Sequence, residues 1–159
     1  LREGLRRLGI DARPAGDDRS RSGEIPASCF ARPARDELLI DGRKICGSAQ
    51  ARSRGAFLQH GSLLIRFDAE RTLRCLVADE GVRERVHPIL NRAVTAVAEH
   101  LTVPPSPEAM AGVLAEGFAA ILHADYRPGD LTPEEEALKT RLWREKYRND
   151  AWNREGRGG

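Results

Sequence analysis

Two residues, Asp41 and Gly42, limit the fold of this chain more than any others. They separate two short runs, 37–40 and 43–49, and Asp-Gly supplies the positive φ angles of a two-residue type I′ turn, so the flanks form a hairpin of defined register. In that register Ile40 faces Arg43, Leu39 faces Lys44, Leu38 faces Ile45 and Glu37 faces Cys46. Lys44 then shares a face with Cys46, Leu39 and, diagonally, Glu37. Residues 57–67, FLQHGSLLIRF, supply a third strand joined through residues 52–55, giving an antiparallel meander. Alternation sets Leu63, Ile65 and Phe67 on one face and His60 and Ser62 on the other, while Gly61 marks a close backbone approach or a bulge.

The remaining segments read mostly as helix. Residues 1–9 end a helix closed by Gly9, residues 10–12 are a candidate short strand, and residues 13–28 form a long polar loop ending at Cys29. Asp68 caps a helix running to Leu76, and a second helical stretch is expected over residues 91–101. Ser106 and Pro107 start a helix whose apolar stripe is Met110, Val113, Leu114, Phe118 and Ile121. Thr132, Pro133 and Glu135 form a capping box for a last helix carrying Leu138, Leu142 and Tyr147. The fold class is therefore α+β, a mostly antiparallel sheet with packed helices, and the tail from residue 154 is expected to fray.

Composition excludes several classes of function. The 159 residues suit one core, with 40% hydrophobic and 31% charged residues. The 26 basic residues are interleaved with 24 acidic ones, so nucleic acid is not an expected partner. No apolar run of about 18 residues is present to span a membrane. Three cysteines, Cys29, Cys46 and Cys75, without CxxC spacing, argue against a disulfide framework or zinc and for a reducing cytoplasm. The chain opens on Leu1 rather than Met, already inside the pattern Leu1, Leu5, Leu8, and is expected to be a piece of something longer.

Few residues have the makings of chemistry. Cys29 ends the polar loop, and a loop thiolate near a fixed cation can accept an acyl group from a thioester; the same residue also suits simple packing. Lys44, just past a rigid turn, can aim its ammonium at an oxyanion or thiolate, or serve as a solvated edge gatekeeper. Cys46 shares the lysine's expected face and reads as packing. His60 is either an acid–base group or a structural donor, and His87, His100 and His123 lack ligand spacing, so no metal is expected. There is no phosphate-cradling glycine motif.

Taken together, residues 29–64, CFARPARDELLIDGRKICGSAQARSRGAFLQHGSLL, resemble the lipoate-protein ligase A and LipM-type octanoyltransferase family, which is similar in fold to biotin protein ligases. The linked blocks are Cys-Phe, the Asp-Gly-Arg-Lys hairpin with Gly-Ser-Ala-Gln, Arg52, and Leu-Gln-His-Gly-Ser. The family's closing helix is matched by residues 134–153, with Lys146, Tyr147, Asp150, Trp152 and Asn153. Asp36 stands where the family usually has an aromatic, and the family's amino-terminal half has no counterpart.

The resemblance implies a partial biotin/lipoate ligase-like core, with residues 1–102 the carboxyl-terminal half of the acyltransferase core and residues 103–159 its helical end. It implies a cysteine acyl-enzyme at Cys29, with Lys44 on the acyl carbonyl and Gly42, Arg43, Gly47, Ser48, Ala49, Gln59, His60 and Gly61 around the substrate. The expected reaction is transfer of an octanoyl or lipoyl group from acyl carrier protein or another donor to a lysine of a lipoyl carrier domain, an H protein or E2 subunit, without a cofactor. The alternatives are ATP- and Mg-dependent lipoate ligation, with Cys29 incidental, and a noncatalytic accessory piece.

Overall fold

Asp41 and Gly42 both take positive φ angles, 50° and 78°, and the turn they form joins β2 (Leu38–Ile40) to β3 (Arg43–Ser53). In the computed structural model, residues 1–16, 37–53 and 55–156 are described, within two compact units, Leu1–Asp125 and Tyr126–Gly159. In the first unit β1 (Arg13–Pro14), β2, β3 and β4 (Ala56–Leu63) pair in the order β1-β2-β3-β4, antiparallel throughout. The fold is α+β, as expected. The first strand lies at 13–14 rather than 10–12, because Ile10 and Ala12 turn into the core instead.

One difference in register matters for the site. The turn pairs Ile40 with Arg43 and Leu39 with Lys44 as expected, but the ladder then shifts and Leu38 lies opposite Cys46. Ile45 is the extra residue of a bulge, which reverses the alternation beyond it. Ile45 and Cys46 consequently both enter the cluster formed by Leu5, Ile10, Ala12, Leu38, Ile40, Val97 and Met110. Lys44 points away from them, so its expected sharing of a face with Cys46 does not hold; Cys46 packs.

The β3–β4 ladder runs through eight pairs, from Cys46 with Leu63 to Ser53 with Ala56. Strand β4 stops at Leu63, so Ile65 and Phe67 lie outside it; the next backbone bond, Leu64 N–H to Ile45 O, is 3.1 Å. Beyond Ser48 the ribbon is exposed on both faces, with Phe57 69% and Leu58 62% accessible. Gly61 makes the close approach expected of it, for a Cβ there would collide with the carbonyl oxygen of Gly47.

Three helices of this unit begin at capping side chains. The Asp68 carboxylate accepts from Arg71 N–H at the start of α2 (Ala69–Leu76), and Asp79 does so from Val82 at the start of α3 (Glu80–Ala93). These two helices close a second apolar cluster with Leu73, Val86, Leu90 and Val94. The helix expected over 91–101 is corrected: α3 starts eleven residues earlier, residues 94–96 are extended, and a single 3-10 turn spans Val97–Glu99. Val94 instead bridges to Lys44 in parallel, and Thr95 N–H donates to Lys44 O at 2.9 Å.

Helix α4 (Pro107–Leu122) is capped by Ser106 and packs on α1 (Arg2–Arg7). Its buried positions are Met110 and Gly117, whereas Phe118 and Ile121 of the expected stripe are exposed. Gly117 lies against the backbone of Gly4, so this face of α4 meets α1, and Phe118, about 100° further round the helix, is turned from it.

In the second unit, Thr132 and Glu135 exchange the expected capping-box bonds at the start of α5 (Pro133–Leu142). A π-helical turn, Trp143–Tyr147, leads to α6 (Asp150–Glu155), which continues helical through Glu155 where fraying was expected. The Lys146 ammonium lies 4.0 Å from the centre of the Trp152 ring, Tyr147 meets that ring edge-on, and Asn153 donates to Tyr147 O. The Lys-Tyr and Trp-Asn pairs read in the sequence thus join the π turn to α6.

Candidate active site

Lys44 is fixed from both sides of its strand. Leu39 pairs with it across the hairpin, and the extended segment at Val94 and Thr95 takes the other side, next to the point where β4 ends. The Lys44 side chain lies on the side of Glu37, and the bulge at Ile45 brings Gly47 to that side as well. There the ammonium lies 2.8 Å from Glu37 Oε1, and the pair is inside the protein, with side chains only 4% and 10% exposed. A buried cation of this kind persists because a carboxylate meets it. Gly47 adjoins both partners: a Cβ there would stand 3.5 Å from Glu37 Oε1 and 3.6 Å from Lys44 Nζ.

The other expected residues divide into three groups. Gly42 forms the turn. Arg43 spends its guanidinium on structure, donating to Val94 O from Nε at 3.0 Å and from Nη2 at 2.6 Å, to Asn91 O at 3.2 Å, and pairing with Glu99 at 2.7 Å. It thereby satisfies carbonyls at the end of α3, where a cation is favoured. Ser48, Gln59 and Gly61 share one face of the β3–β4 ribbon, with Gln59 Nε2 donating to Ser48 Oγ at 2.5 Å. Ala49 and His60 face each other on the opposite side, the side of Gly47, and both are exposed. Cys29 lies outside the described residues.

The remaining thiols differ sharply. Cys46 is buried, and burial pushes its thiol above the ordinary value of 9.0, with the Glu37 charge adding to that rise and Lys44 opposing it. Cys75 is exposed on α2, at an open groove of about 940 Å³ that also takes Leu64, Phe67 and Thr72 and none of the described candidate residues. Among the described residues no cluster of three or more His, Cys, Asp or Glu could hold a metal ion, and no helix is long and apolar enough to cross a membrane.

Among the described residues, Glu37 is a close partner of Lys44 that was not among the expected site residues. The signal for it was its diagonal position to Lys44 across the hairpin; what could not be foreseen was the bulge that sets Gly47, rather than Cys46, beside the pair. Chemically, the arrangement is a fixed, desolvated ammonium next to a residue without a side chain. Such a cation stabilises a developing oxyanion more strongly than it would in water.

Comparison with known proteins gives the setting for this geometry. Residues 1–119 match the family model of the lipoyl protein ligase A/B catalytic domain. An octanoyltransferase LipM of Kyrpidia tusciae is 39% identical over 96% of this chain, and the one of Bacillus subtilis is 34% identical over 95%. The chain spans 57% and 56% of those two relatives' lengths, a little over half. Among solved structures, a lipoate-protein ligase A bound with ATP superposes with a TM-score of 0.68 at 29% identity, covering 96% of this chain and 54% of that one. A bipartite archaeal lipoate protein ligase from Thermoplasma acidophilum, studied with its E2 lipoyl domain, gives 0.71 at 30% identity, covering 95% and 52%.

Proposed function

The chain belongs to the lipoyl protein ligase A/B catalytic family, and on that premise we propose that it contributes the nucleophile and the oxyanion-stabilising lysine of an octanoyltransferase. An octanoyl group passes from a thioester donor to Cys29, and from there to one lysine of a lipoyl carrier domain. The observation that carries this reading is the likeness to octanoyltransferases at up to 39% identity along nearly the whole chain.

The Cys29 thiolate attacks the thioester carbonyl; a new carbon–sulfur bond forms as the donor's breaks, and the donor leaves as a thiol. The neutral amine of the carrier lysine then attacks the acyl-enzyme, the Cys29 sulfur departs, and an amide results. In both steps negative charge gathers on the same oxygen, and the Lys44 ammonium neutralises it. A thioester is already activated, so no nucleotide or metal enters. The donor is acyl carrier protein, the acceptor an H protein or E2 subunit, and the compartment the cytoplasm. Gly42, Gly47, Ser48, Ala49, Gln59, His60 and Gly61 frame the substrate, and Arg43 holds the Lys44 segment on α3.

The test is intact-mass measurement after mixing the active protein that bears this chain with an octanoyl thioester. A covalent octanoyl adduct is expected, lost in Cys29→Ala and Cys29→Ser together with transfer to the carrier. A Cys29→Ala protein that transfers at the original rate refutes the mechanism. Activity that instead requires ATP and free lipoate, and survives alkylation of Cys29, assigns the chain to ligation of the kind its ATP-bound structural relative represents. Binding to a separate chain, with no adduct formed, assigns it an accessory role.

A further inference from the structure

We infer that Glu37 is a positioning residue for acyl transfer, acting through Lys44; this rests on the role proposed above for that lysine. The Glu37 carboxylate is 2.8 Å from the Lys44 ammonium, and the two groups are almost completely removed from solvent. An ammonium carries three donors on a flexible four-carbon stem, so a buried one with a single purpose needs something to choose its direction. Glu37 makes that choice from a fixed place. Its backbone oxygen receives Ala15 N–H at 2.9 Å, tying it to the end of β1, and the pairing of Leu39 with Lys44 sets the lysine diagonally across the hairpin from it.

Position 47 completes the argument. Its absent side chain would have projected to within 3.5 to 3.6 Å of both charged atoms, so at that position backbone rather than a side chain borders the pair. Charge balance also favours the arrangement. The carboxylate balances the ammonium's charge, and when an oxyanion forms the ammonium is already oriented and desolvated, so little reorganisation accompanies the reaction. A merely structural ion pair predicts something different, namely that either partner's loss harms folding and nothing else.

The experiment is a double-mutant cycle on octanoyl transfer, read as kcat and as KM for the carrier domain, with Glu37→Gln, Lys44→Met and the double variant assayed below their unfolding temperatures. Glu37→Gln is expected to lower kcat by about 10- to 100-fold with KM changed by less than about twofold, and to change the Lys44→Met rate by less than about twofold. Glu37→Asp retains the charge and the fold but draws the carboxylate back by one methylene. It is expected to fall between wild type and Glu37→Gln in kcat, and it carries the test if Glu37→Gln does not fold. Equal losses from Glu37→Gln in both backgrounds, or from Glu37→Asp if that variant stands in, overturn the inference. So does an unchanged kcat in the glutamate variants alongside an inactive Lys44→Met, an outcome that leaves the transfer mechanism standing. A Lys44→Met protein with full activity removes the proposed role of the lysine and this inference with it.

Discussion

Two glycines on one helix should respond to alanine in opposite directions. Gly112 and Gly117 both lie inside α4; a Cβ at 112 meets nothing within 4 Å, whereas one at 117 falls 2.6 Å from Gly4 N and 2.9 Å from Gly4 Cα. Ordinary contact begins near 3.5 Å, so α1 would have to withdraw by about 1 Å. Backbone, unlike a side chain, cannot rotate aside, and α1 carries Leu5, which is wholly buried in the first cluster, and Arg7, paired with Glu116 at 3.1 Å. Each substitution gains about 1 kcal/mol of helix propensity. At 117 overpacking opposes it by about 2–3 kcal/mol, toward the upper end because the strain is backbone on backbone. Gly112→Ala is therefore expected to stabilise by about 1 kcal/mol and Gly117→Ala to destabilise by about 1–2 kcal/mol. For a chain of this length that separates the two midpoints by roughly 4–12 °C in thermal unfolding followed by circular dichroism. Midpoints within about 2 °C of each other would refute the packing argument, because the glycine at 117 would then not be holding α1 at its observed distance.

Two smaller expectations follow from the caps and thiols. Asp68→Ala removes the acceptor for Arg71 N–H and should cost about 1 kcal/mol, read as faster amide hydrogen exchange through α2 with less change in α4. Because burial raises the Cys46 thiol, the folded state holds that proton more tightly than the unfolded one. Its contribution is complete below pH 9.0 and is lost as pH climbs through the raised value, so denaturant midpoints should fall above pH 9.0 in wild type and less in Cys46→Ala. In the same samples at neutral pH a maleimide should label exposed Cys75 and spare Cys46 until unfolding.

Local chemistry made much of this architecture readable. Asp41-Gly42, Asp68, Ser106 with Pro107, and Thr132 with Glu135 act within a few residues of themselves, and each forms the turn or cap it signals. The errors arose where a distant segment decided. Helix α3 went unread because Pro88 lies inside it and its apolar residues Val82, Val86 and Leu90 are separated by charged ones, although Asp79 was available as a cap. The bulge at Ile45 could not be inferred from turn geometry, which assumes a regular ladder, and it decides that Gly47 rather than Cys46 shares the face of Lys44. Gly117 has no place in the expected apolar stripe, and its burial depends on Gly4 of a distant helix lying against it. The candidate lysine and the diagonal place of Glu37 were therefore legible from the hairpin, while the burial of the pair and the presence of Gly47 beside it depended on tertiary structure.

The exposed outer ribbon has one more implication. Strands ordinarily hold their alignment because sliding by one residue would drag apolar side chains into water, but between Ala49 and Ser62 both faces are already wet and that safeguard is missing. What remains is a steric key. Slippage in either direction would carry His60 or Ser62 to the spot beside Gly47 O where only a hydrogen atom fits. Gly61 thus acts as a detent that, with the end of the ladder where Cys46 and Leu63 pack into the core, keeps the cross-strand pairs in step, and with them the placement of the ribbon residues relative to the lysine.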